Sequence, residues 1–493
     1  MDDRHPESTQ GDSPPSAETA DTPQRRKFLD SGVEGKPSPP AHLPGFEVKA
    51  REVLGLNDLE TLPTALAARA EQLWRLDRFA ANVPFTNPMF IPMGPSPDLG
   101  LLYESVATVV RRHEALRTRL AVHRGRAVQI VEDWKASGIG MVDILQSDID
   151  EDRPGRNSPV SEFSQRSMDL YAQDNFQCQV FRDETGNVRL GFIAHGFFSD
   201  AWSSQVLLHE IRVAYSALKS RETPIFKPAA QYTDYAQAQR RSLDRDLAAH
   251  LTYWHRKLKD MPSSRLPYNH CTETGRRGRS YFFVNEDITA RLTAIADASR
   301  VSLTLVLLAA YQLSLARWSG QDEILSAAYT ADRVKPQFQN TVGLLVTNMP
   351  VCSRIDRKLT FRTFLHDVAR GFYDGYAHRE LSCELYEAIF SPSKLFCGTV
   401  FNFVPLQKNF FASELHSIPS FNGTLVAPEA PRPAIYREIY LGLTQFPNGI
   451  LGKVFYNADR FTFEGMEVFI RHFREVIQAI SVDPDVTVRD LRD

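Results

Sequence analysis

The stretch Gly191–Ser204 reads GFIAHGFFSDAWSS and places a strand, a turn and the start of a helix next to one another. An apolar run ends at His195, and Asp200 stands just before a helical pattern that begins near Trp202. A carboxylate at that place can accept hydrogen bonds from the first turn of the helix and complement its positive end. The residues alone leave two interpretations open: a structural strand–loop–helix unit with a capping Asp200 and a buried His195, or a functional loop.

Helices and strands alternate on both sides of this stretch. Alternating polarity around a turn at Gly186 predicts a hairpin of Phe176–Phe181 with Val188–Ala194, which leads into His195. Apolar spacing predicts further helices at Ala65–Arg78, Leu101–Leu120, Trp202–Leu218, Tyr235–Asp260, Asp287–Ser299, Leu303–Trp318 and Met466–Ile480, and strands at Ile324–Thr330, Gly343–Val351, Thr399–Val404, Ile439–Phe446 and Ile450–Tyr456. This alternation predicts two mixed α/β lobes of similar content.

The chain divides into three parts by composition. Its first 44 residues hold 8 of the 30 prolines and one aromatic residue, Phe28, so we expect residues 1–45 to form a disordered Pro/Ser-rich tail. The remainder is too long for one common domain. We assign residues 46–221 to a first lobe and residues 222–493 to a second, with Glu222–Pro228 as the connector between them.

Charge and cysteine content exclude several classes of protein. The 57 Lys and Arg residues nearly balance the 60 Asp and Glu residues, which argues against a nucleic-acid partner. Five cysteines without a CxxC pair indicate neither a metal site nor a disulfide framework. The N-terminus has no apolar signal region and the longest apolar run, Leu303–Ala310, is short. We therefore expect a cytoplasmic protein that does not bind a membrane.

Six stretches follow one another in an order that one family shares. Besides GFIAHGFFSDAWSS they are AARAEQLWRLDR at 67–78, RRHEALRTRL at 111–120, YTDYAQAQRR at 232–241 with YWHRKL at 253–258, GLLVTNMPVCSR at 343–354, and VFNFVP at 400–405. Together they resemble the signature blocks of nonribosomal peptide synthetase condensation domains, which belong to the chloramphenicol acetyltransferase-like superfamily. The first stretch is similar to the HHxxxDGWS motif: His195 matches the first histidine, Gly196 replaces the second, and Ala201 replaces the glycine.

The resemblance implies an α/β fold of two chloramphenicol-acetyltransferase-like lobes, which form a V-shaped pseudodimer around a central tunnel. It implies an acyl or peptidyl carrier protein as partner, with a small-molecule amine or a second carrier-bound group as acceptor. No cofactor is expected to bind directly, because the phosphopantetheine arm of the carrier protein brings the substrate. No adenylation, carrier or thioesterase block follows, so we expect a free-standing protein that acts in trans.

The same resemblance assigns roles to individual residues. We take His195 and Asp200 as the candidate catalytic residues. His195 is expected to be structural, with proton acceptance as the alternative, and Asp200 is expected to form an architectural ion pair with Arg333. Gly196 has no side chain and cannot act as the base that the second histidine provides. The candidate substrate-binding residues are Gly196, Ala201, Trp202, Ser203 and Asn348.

Two of these assignments have plain structural alternatives. Asn348 is equally well interpreted as an amide that caps a strand end. The arginines of RRHEALRTRL are interpreted as a solvated helix face, with contact to an acidic carrier protein as the alternative.

Three functions remain in competition. The first is an acyltransferase that joins a carrier-bound acyl or aminoacyl thioester to an amine without the second histidine. The second is a catalytically silent module that binds carrier proteins or recruits other enzymes. The third is repurposed chemistry in the same tunnel, such as cyclisation or dehydration of a tethered substrate.

Overall fold

A computed structural model describes residues 43–58, 64–77, 86–133, 141–143, 159–164, 166–172, 175–262, 265–390, 397–405, 424–431 and 437–492. Of the predicted tail, residues 1–42 lie outside this set. The helices are α1 (Leu43–Leu54), α2 (Ala68–Asp77), α3 (Leu99–Arg112), α4 (Pro159–Ser164), α5 (Ala201–Lys219), α6 (Tyr232–Leu258), α7 (Glu286–Ala298), α8 (Leu303–Ser319), α9 (Phe361–Tyr376), α10 (Cys383–Phe390), α11 (Phe463–Val482) and α12 (Val488–Arg492). The strands are β1 (Thr86–Pro95), β2 (Thr118–His123), β3 (Arg126–Val131), β4 (Met141–Asp143), β5 (Phe176–Arg182), β6 (Asn187–His195), β7 (Arg276–Asn285), β8 (Glu323–Ala331), β9 (Val346–Arg354), β10 (Thr399–Val404), β11 (Thr424–Pro431), β12 (Ile439–Phe446) and β13 (Gly449–Asn457).

The first half of the chain forms a four-stranded sheet in the order β1-β6-β5-β4. The predicted hairpin into His195 is confirmed, since β5 and β6 pair antiparallel with Phe176 opposite Ala194. β6 is central and apolar residues fill its buried positions, so its last residue, His195, emerges inside the protein. α3 and α5 pack together in the core of this half.

The helix predicted at Leu101–Leu120 is wrong in its last third. α3 ends at Arg112, a short 3₁₀ turn follows at Glu114–Arg117, and Thr118 begins β2, which pairs with β3. The reason is His113, which leaves the helical backbone at φ −106° and ψ 105°. Its buried imidazole Nε2 lies 2.7 Å from a carboxylate oxygen of Glu210 on α5, and this contact turns the chain inward.

The second half is organised around a seven-stranded sheet in the order β11-β7-β13-β12-β10-β8-β9. The predicted hairpin is confirmed as β12 and β13, which turn at Gly449. β10 runs parallel to both β8 and β12, and α8 is buried along almost its whole length against the sheet. The strand predicted at Gly343–Val351 begins later, at Val346, because the backbone N–H groups of Gly343 and Leu345 donate to Ser203 on α5 and to its cap residue Asp200 instead.

The two largest apolar cores of the described residues lie mainly in one half each, and α6 takes part in both. Tyr232, Tyr235 and Ala236 lie in the first core, whereas Leu243 and Leu251 lie in the second. α6 therefore joins the two halves directly next to the loop that follows β6. No single helix in the described ranges is long and apolar enough to cross a membrane. The pair α7 and α8, bent by 106°, meets the length and composition test only together.

Candidate active site

His195 ends β6 as a buried, neutral imidazole. Its backbone N–H donates to the carbonyl of Asn175 at 2.9 Å, and its Nδ1 accepts the backbone N–H of Phe197 at 3.2 Å. The ring proton therefore belongs on Nε2. Burial lowers the pKa of His195 to about 3, so the ring stays neutral at physiological pH and is a weak base there.

The loop after His195 is anchored by aromatic side chains. Phe197 packs edge-on against the His195 ring with 4.9 Å between ring centroids, and both Phe197 and Phe198 are fully buried in the first core. Gly196 lies between His195 and this anchor and is itself buried. Because glycine has no side chain, position 196 offers neither an acid nor a base.

Asp200 is the polar centre of the loop. It caps α5 by accepting the backbone N–H of Ser203 at 2.8 Å, and it is 4% exposed. The predicted ion pair is present: Arg333 Nη1 and Nη2 lie 2.8 Å and 2.9 Å from the two carboxylate oxygens. The backbone N–H of Leu345 donates to Oδ2 at 3.0 Å. Such a set of donors offsets the cost of burying the charge.

Ser203 and Trp202 extend this contact between the two halves. The Ser203 hydroxyl lies 2.9 Å from the carbonyl of Gly343 and accepts that residue's N–H at 3.0 Å. The Trp202 indole donates to the carbonyl of Gln339 at 2.8 Å, and the Arg333 guanidinium lies 5.8 Å from its ring. The structure thus brings together His195, Gly196, Asp200, Trp202, Ser203 and Arg333, while Ala201 is exposed at the start of α5.

Asn348 belongs to a second buried polar cluster, on β9. Its amide Nδ2 donates to Glu384 Oε1 at 3.0 Å, and the side chain is fully buried. Burial opposes ionisation of Glu384, yet the charges of Arg69 and Arg437 and the bond from Asn348 hold its pKa at about 2. Glu384 is therefore a carboxylate enclosed between two arginines.

The sequence reasoning named Asn348 but missed the charged residues of this second cluster. Arg69 comes from α2, Glu384 comes from α10, and Arg437 lies two residues before β12. Arg69 lies 315 residues before Glu384, and the members of the cluster share no local motif. The one available signal was a charged residue, Glu384, inside the apolar run that forms α10.

A small polar cavity lies between the halves close to both clusters. It is lined by Arg69, Tyr235, Asp332, Arg379 and Glu380, among others. Arg379 pairs with Asp332 at 2.7 Å, and the Tyr235 hydroxyl donates to the same carboxylate at 3.1 Å. Asp332 and Arg333 are neighbours in the chain, so one dipeptide connects the cavity to the Asp200 loop. The described residues contain no group of three or more His, Cys, Asp or Glu side chains suited to a metal ion.

Comparison with known proteins agrees with the six sequence blocks. The family model for the Condensation domain matches residues 74–492. The chain is 26% identical over 447 residues to chondramide synthase cmdD of Chondromyces crocatus, covering 88% of this chain and 11% of that protein. It thus spans about a tenth of the length of that relative.

Solved structures share the fold. The condensation domain of the Monacolin K polyketide synthase MokA matches with a TM-score of 0.73 at 18% identity, over 86% of this chain and 98% of that one. The X-domain from teicoplanin biosynthesis matches with a TM-score of 0.69 at 20% identity, over 87% and 97%. With its four-stranded and seven-stranded sheets and their helices, the chain has the chloramphenicol-acetyltransferase-like α/β fold that was predicted, and it belongs to the condensation domain family of nonribosomal peptide synthesis.

Proposed function

We propose that this chain is a condensation-type acyltransferase. In this proposal it joins an acyl or aminoacyl group, held as a thioester on the phosphopantetheine arm of a carrier protein, to an amine acceptor. One observation carries the proposal. The loop after β6 is held by a buried bidentate Asp200–Arg333 pair that reaches across from the other half. Family membership supplies the reaction class.

The chemistry has to proceed without an imidazole base at position 196. A general base contributes about 10²–10⁴-fold to such a reaction, whereas holding two reactants in line contributes about 7–11 kcal/mol in favourable cases. A thioester is already activated. An α-amine with a pKa of about 7.7–8 is roughly one-tenth neutral at pH 7 and can attack without prior deprotonation. A hydroxyl group has no such advantage, so the proposal specifies an amine acceptor.

In this proposal His195 does not replace the missing base. Its Nδ1 accepts the backbone N–H of Phe197 and its pKa is about 3, so the imidazole is neutral and a weak base at neutral pH. We propose a structural role for it, namely fixing the turn that leads to Asp200. We propose that Asn348 and Trp202 border the substrate. We also propose that the tunnel passes through the small polar cavity between the halves.

The test pairs each amine with a hydroxyl analogue of the same shape. The purified chain is incubated with acyl-loaded carrier protein, and the product is measured by mass spectrometry against the background without the chain. We expect amide from the amines, no ester from the alcohols, and a rate whose pH midpoint follows the pKa of the amine used. An absence of product across a broad panel of donors and amines contradicts the proposal.

A silent binding module is the second candidate, and the combination of Gly196 with a buried, neutral His195 favours it. One solved structure that shares the fold is a complex of the X-domain and OxyB from teicoplanin biosynthesis, so the fold also occurs in complexes between proteins. For this candidate we expect carrier-protein binding without turnover, unchanged by His195→Ala. Failure to bind any carrier protein excludes it.

A further inference from the structure

Two histidines meet away from the Asp200 loop, between α6 and the segment 377–382. Nδ1 of His250 lies 3.0 Å from Nδ1 of His378, and the two rings are nearly perpendicular. On its other side, Nε2 of His250 lies 3.7 Å from Oε2 of Glu380. Both of these atoms are buried, and neither has a hydrogen-bond partner. We propose that Glu380, His250 and His378 form a proton-controlled clasp that holds the segment 377–382 on α6 and opens on acidification.

The contact between the two Nδ1 atoms admits only one proton. In the neutral pair, His378 donates from Nδ1 and His250 directs its Nε2–H toward the Glu380 carboxylate. If the pair takes up one proton, a single N–H still lies between the two Nδ1 atoms, and the contact persists. A second proton places two N–H groups against each other at 3.0 Å, between two positive rings. The clasp therefore accepts one added proton and is broken by a second.

The charged and titratable surroundings of the pair favour this behaviour. Burial, the neighbouring His250 and the charge of Arg256 lower the pKa of His378 below its ordinary value of 6.5. A group with a lowered pKa takes up protons more readily in the open form. Its contribution is complete above about pH 6.5 and is lost as the pH falls. Among the described residues, Arg245 and Arg379 lie near Glu380, and Asp246 lies near His250. Tyr253 stacks on His378 and is in turn close to Asp374 on α9 and Cys352 on β9.

Opening the clasp releases contacts that lead toward the site. The carbonyl of His378 accepts the indole N–H of Trp254 at 2.9 Å, and Tyr253 stacks on the His378 ring with 4.1 Å between centroids. The next residue, Arg379, pairs with Asp332, the neighbour of Arg333. The clasp thus holds the first of a series of contacts that ends at Asp200. The effect of pH on the clasp can be measured whether or not the chain is an acyltransferase.

The Trp254 indole N–H provides a direct probe of the clasp. Its NMR signal is assigned by its loss in Trp254→Phe and then followed from pH 7.5 to pH 5.0 in the full chain. We expect the signal to shift and to exchange faster with solvent as the pH falls, while the other indole signals stay at their native positions. An indole signal that is independent of pH over this range overturns the proposal.

Matched histidine variants identify the groups responsible. We expect His378→Gln to remove the pH dependence of the Trp254 signal, because a glutamine does not take up the second proton. His250→Gln tests the same point if the first variant does not fold. The control is His366→Gln, which changes an exposed histidine on α9 and should leave the transition unchanged. A transition that persists in His378→Gln or His250→Gln overturns the proposal.

Discussion

Glu71 on α2 is a buried carboxylate surrounded by three guanidinium groups. Arg126 and Arg240 each place a nitrogen 2.5 Å from Oε2, and Arg75 lies 3.0 Å from Oε1. Burial raises the pKa of Glu71, but the bond from Arg126 and the charge of Arg240 outweigh that effect and lower it. The sequence places Glu71 within the block at 67–78, yet nothing local indicates that its partners come from β3 and α6.

We predict that Glu71→Gln lowers the free energy of unfolding by about 3–5 kcal/mol, because it leaves buried arginines without a counter-charge. Chemical denaturation followed by far-UV circular dichroism measures the change. Glu104→Gln is the matched control. Glu104 pairs with Arg111 at 2.9 Å, but both side chains are largely exposed, so we expect a change below about 1 kcal/mol. Equal effects of the two substitutions contradict this account.

Gly343 allows the segment before β9 to lie directly against α6. A Cβ at this position comes within 2.3 Å of the Tyr232 ring, and that ring is fully buried. We predict that Gly343→Ala lowers the free energy of unfolding by about 1–3 kcal/mol, as other overpacked sites do. It should also shift Ser203, which bonds to the backbone of Gly343.

The control for this prediction is Gly371→Ala, on the open side of α9. No atom lies within 4 Å of a Cβ built there, and alanine favours a helix over glycine by about 1 kcal/mol. We therefore expect the two glycine substitutions to change stability in opposite directions. Denaturation curves of both variants, measured beside the unsubstituted chain, decide the point. If Gly371→Ala also lowers the free energy of unfolding, the loss of stability in Gly343→Ala is not specific to the contact with Tyr232.

At the scale of elements, the first turn of α5 depends on Asp200 twice, as a helix cap and as the partner of Arg333. We predict that Asp200→Asn costs about 3–5 kcal/mol, because it leaves a buried guanidinium without its carboxylate. Arg333→Met should cost a similar amount. The double variant should lose clearly less than the sum of the two, since neither charge then stays buried alone.

Additive losses in this double-mutant cycle contradict the ion pair as the link between the halves. Because Asp200 also caps α5, hydrogen exchange of the first turn of that helix separates the two roles. We expect Asp200→Asn to raise exchange there, whereas Arg333→Met, which leaves the cap oxygen in place, should raise it less.

The elements that could be predicted from sequence are those with a strong local pattern. β5, β6, α5 and the β12–β13 hairpin have regular apolar spacing and clear turns, and they form where predicted. Leu116 and Leu120 fit a helical spacing equally well, but His113 is held by Glu210 on a different helix, which no local pattern reveals. The start of β9 was misplaced for the same reason, because Ser203 and Asp200 accept the backbone N–H groups of Gly343 and Leu345.

Across the whole molecule, the predictable part of the site was the part that lies in one motif. His195, Gly196 and Asp200 follow one another in the chain, and the family resemblance supplied Arg333. Glu384 was not predictable, because its partners Arg69 and Arg437 come from different halves of the chain. Polar residues that only the completed fold brings together leave no periodic signal in the sequence.

The charge on Glu384 makes the free energy of unfolding sensitive to acid. Its pKa of about 2 lies below the ordinary value of 4.5, so its contribution is complete above about pH 4.5 and is lost as the pH falls toward 2. A difference of this size corresponds to about 3 kcal/mol. We predict that the stability gap between the unsubstituted chain and Glu384→Gln narrows by about that amount between pH 5 and pH 2. Unfolding free energies measured in urea test this, and a gap that does not change with pH contradicts it.

The first helix connects the start of the described chain to the far half of the molecule. α1 begins at Leu43, in the predicted tail, and continues into the predicted first lobe, yet Ala50 and Leu54 are buried in the core of the second half. Phe46 stacks on Phe390 with 4.9 Å between ring centroids, and Lys49 donates to the carbonyl of Ile389 at 2.7 Å. Both partners lie at the end of α10, the helix that carries Glu384.

We therefore predict that Leu54→Ala lowers the free energy of unfolding by about 2–5 kcal/mol and acts on the second half. Hydrogen exchange measured by mass spectrometry should rise in α10 and in the part of α6 around Arg240 and Asp244, which contact α1, and stay unchanged in β5 and β6. Val48→Ala provides the control on the same helix, since Val48 is 69% exposed and its truncation leaves no cavity. If hydrogen exchange rises in β5 and β6 instead, α1 stabilises the first half. Its packing on α10 and α6 then does not account for the loss of stability. If Val48→Ala matches Leu54→Ala, the effect comes from helix propensity and not from the buried contact.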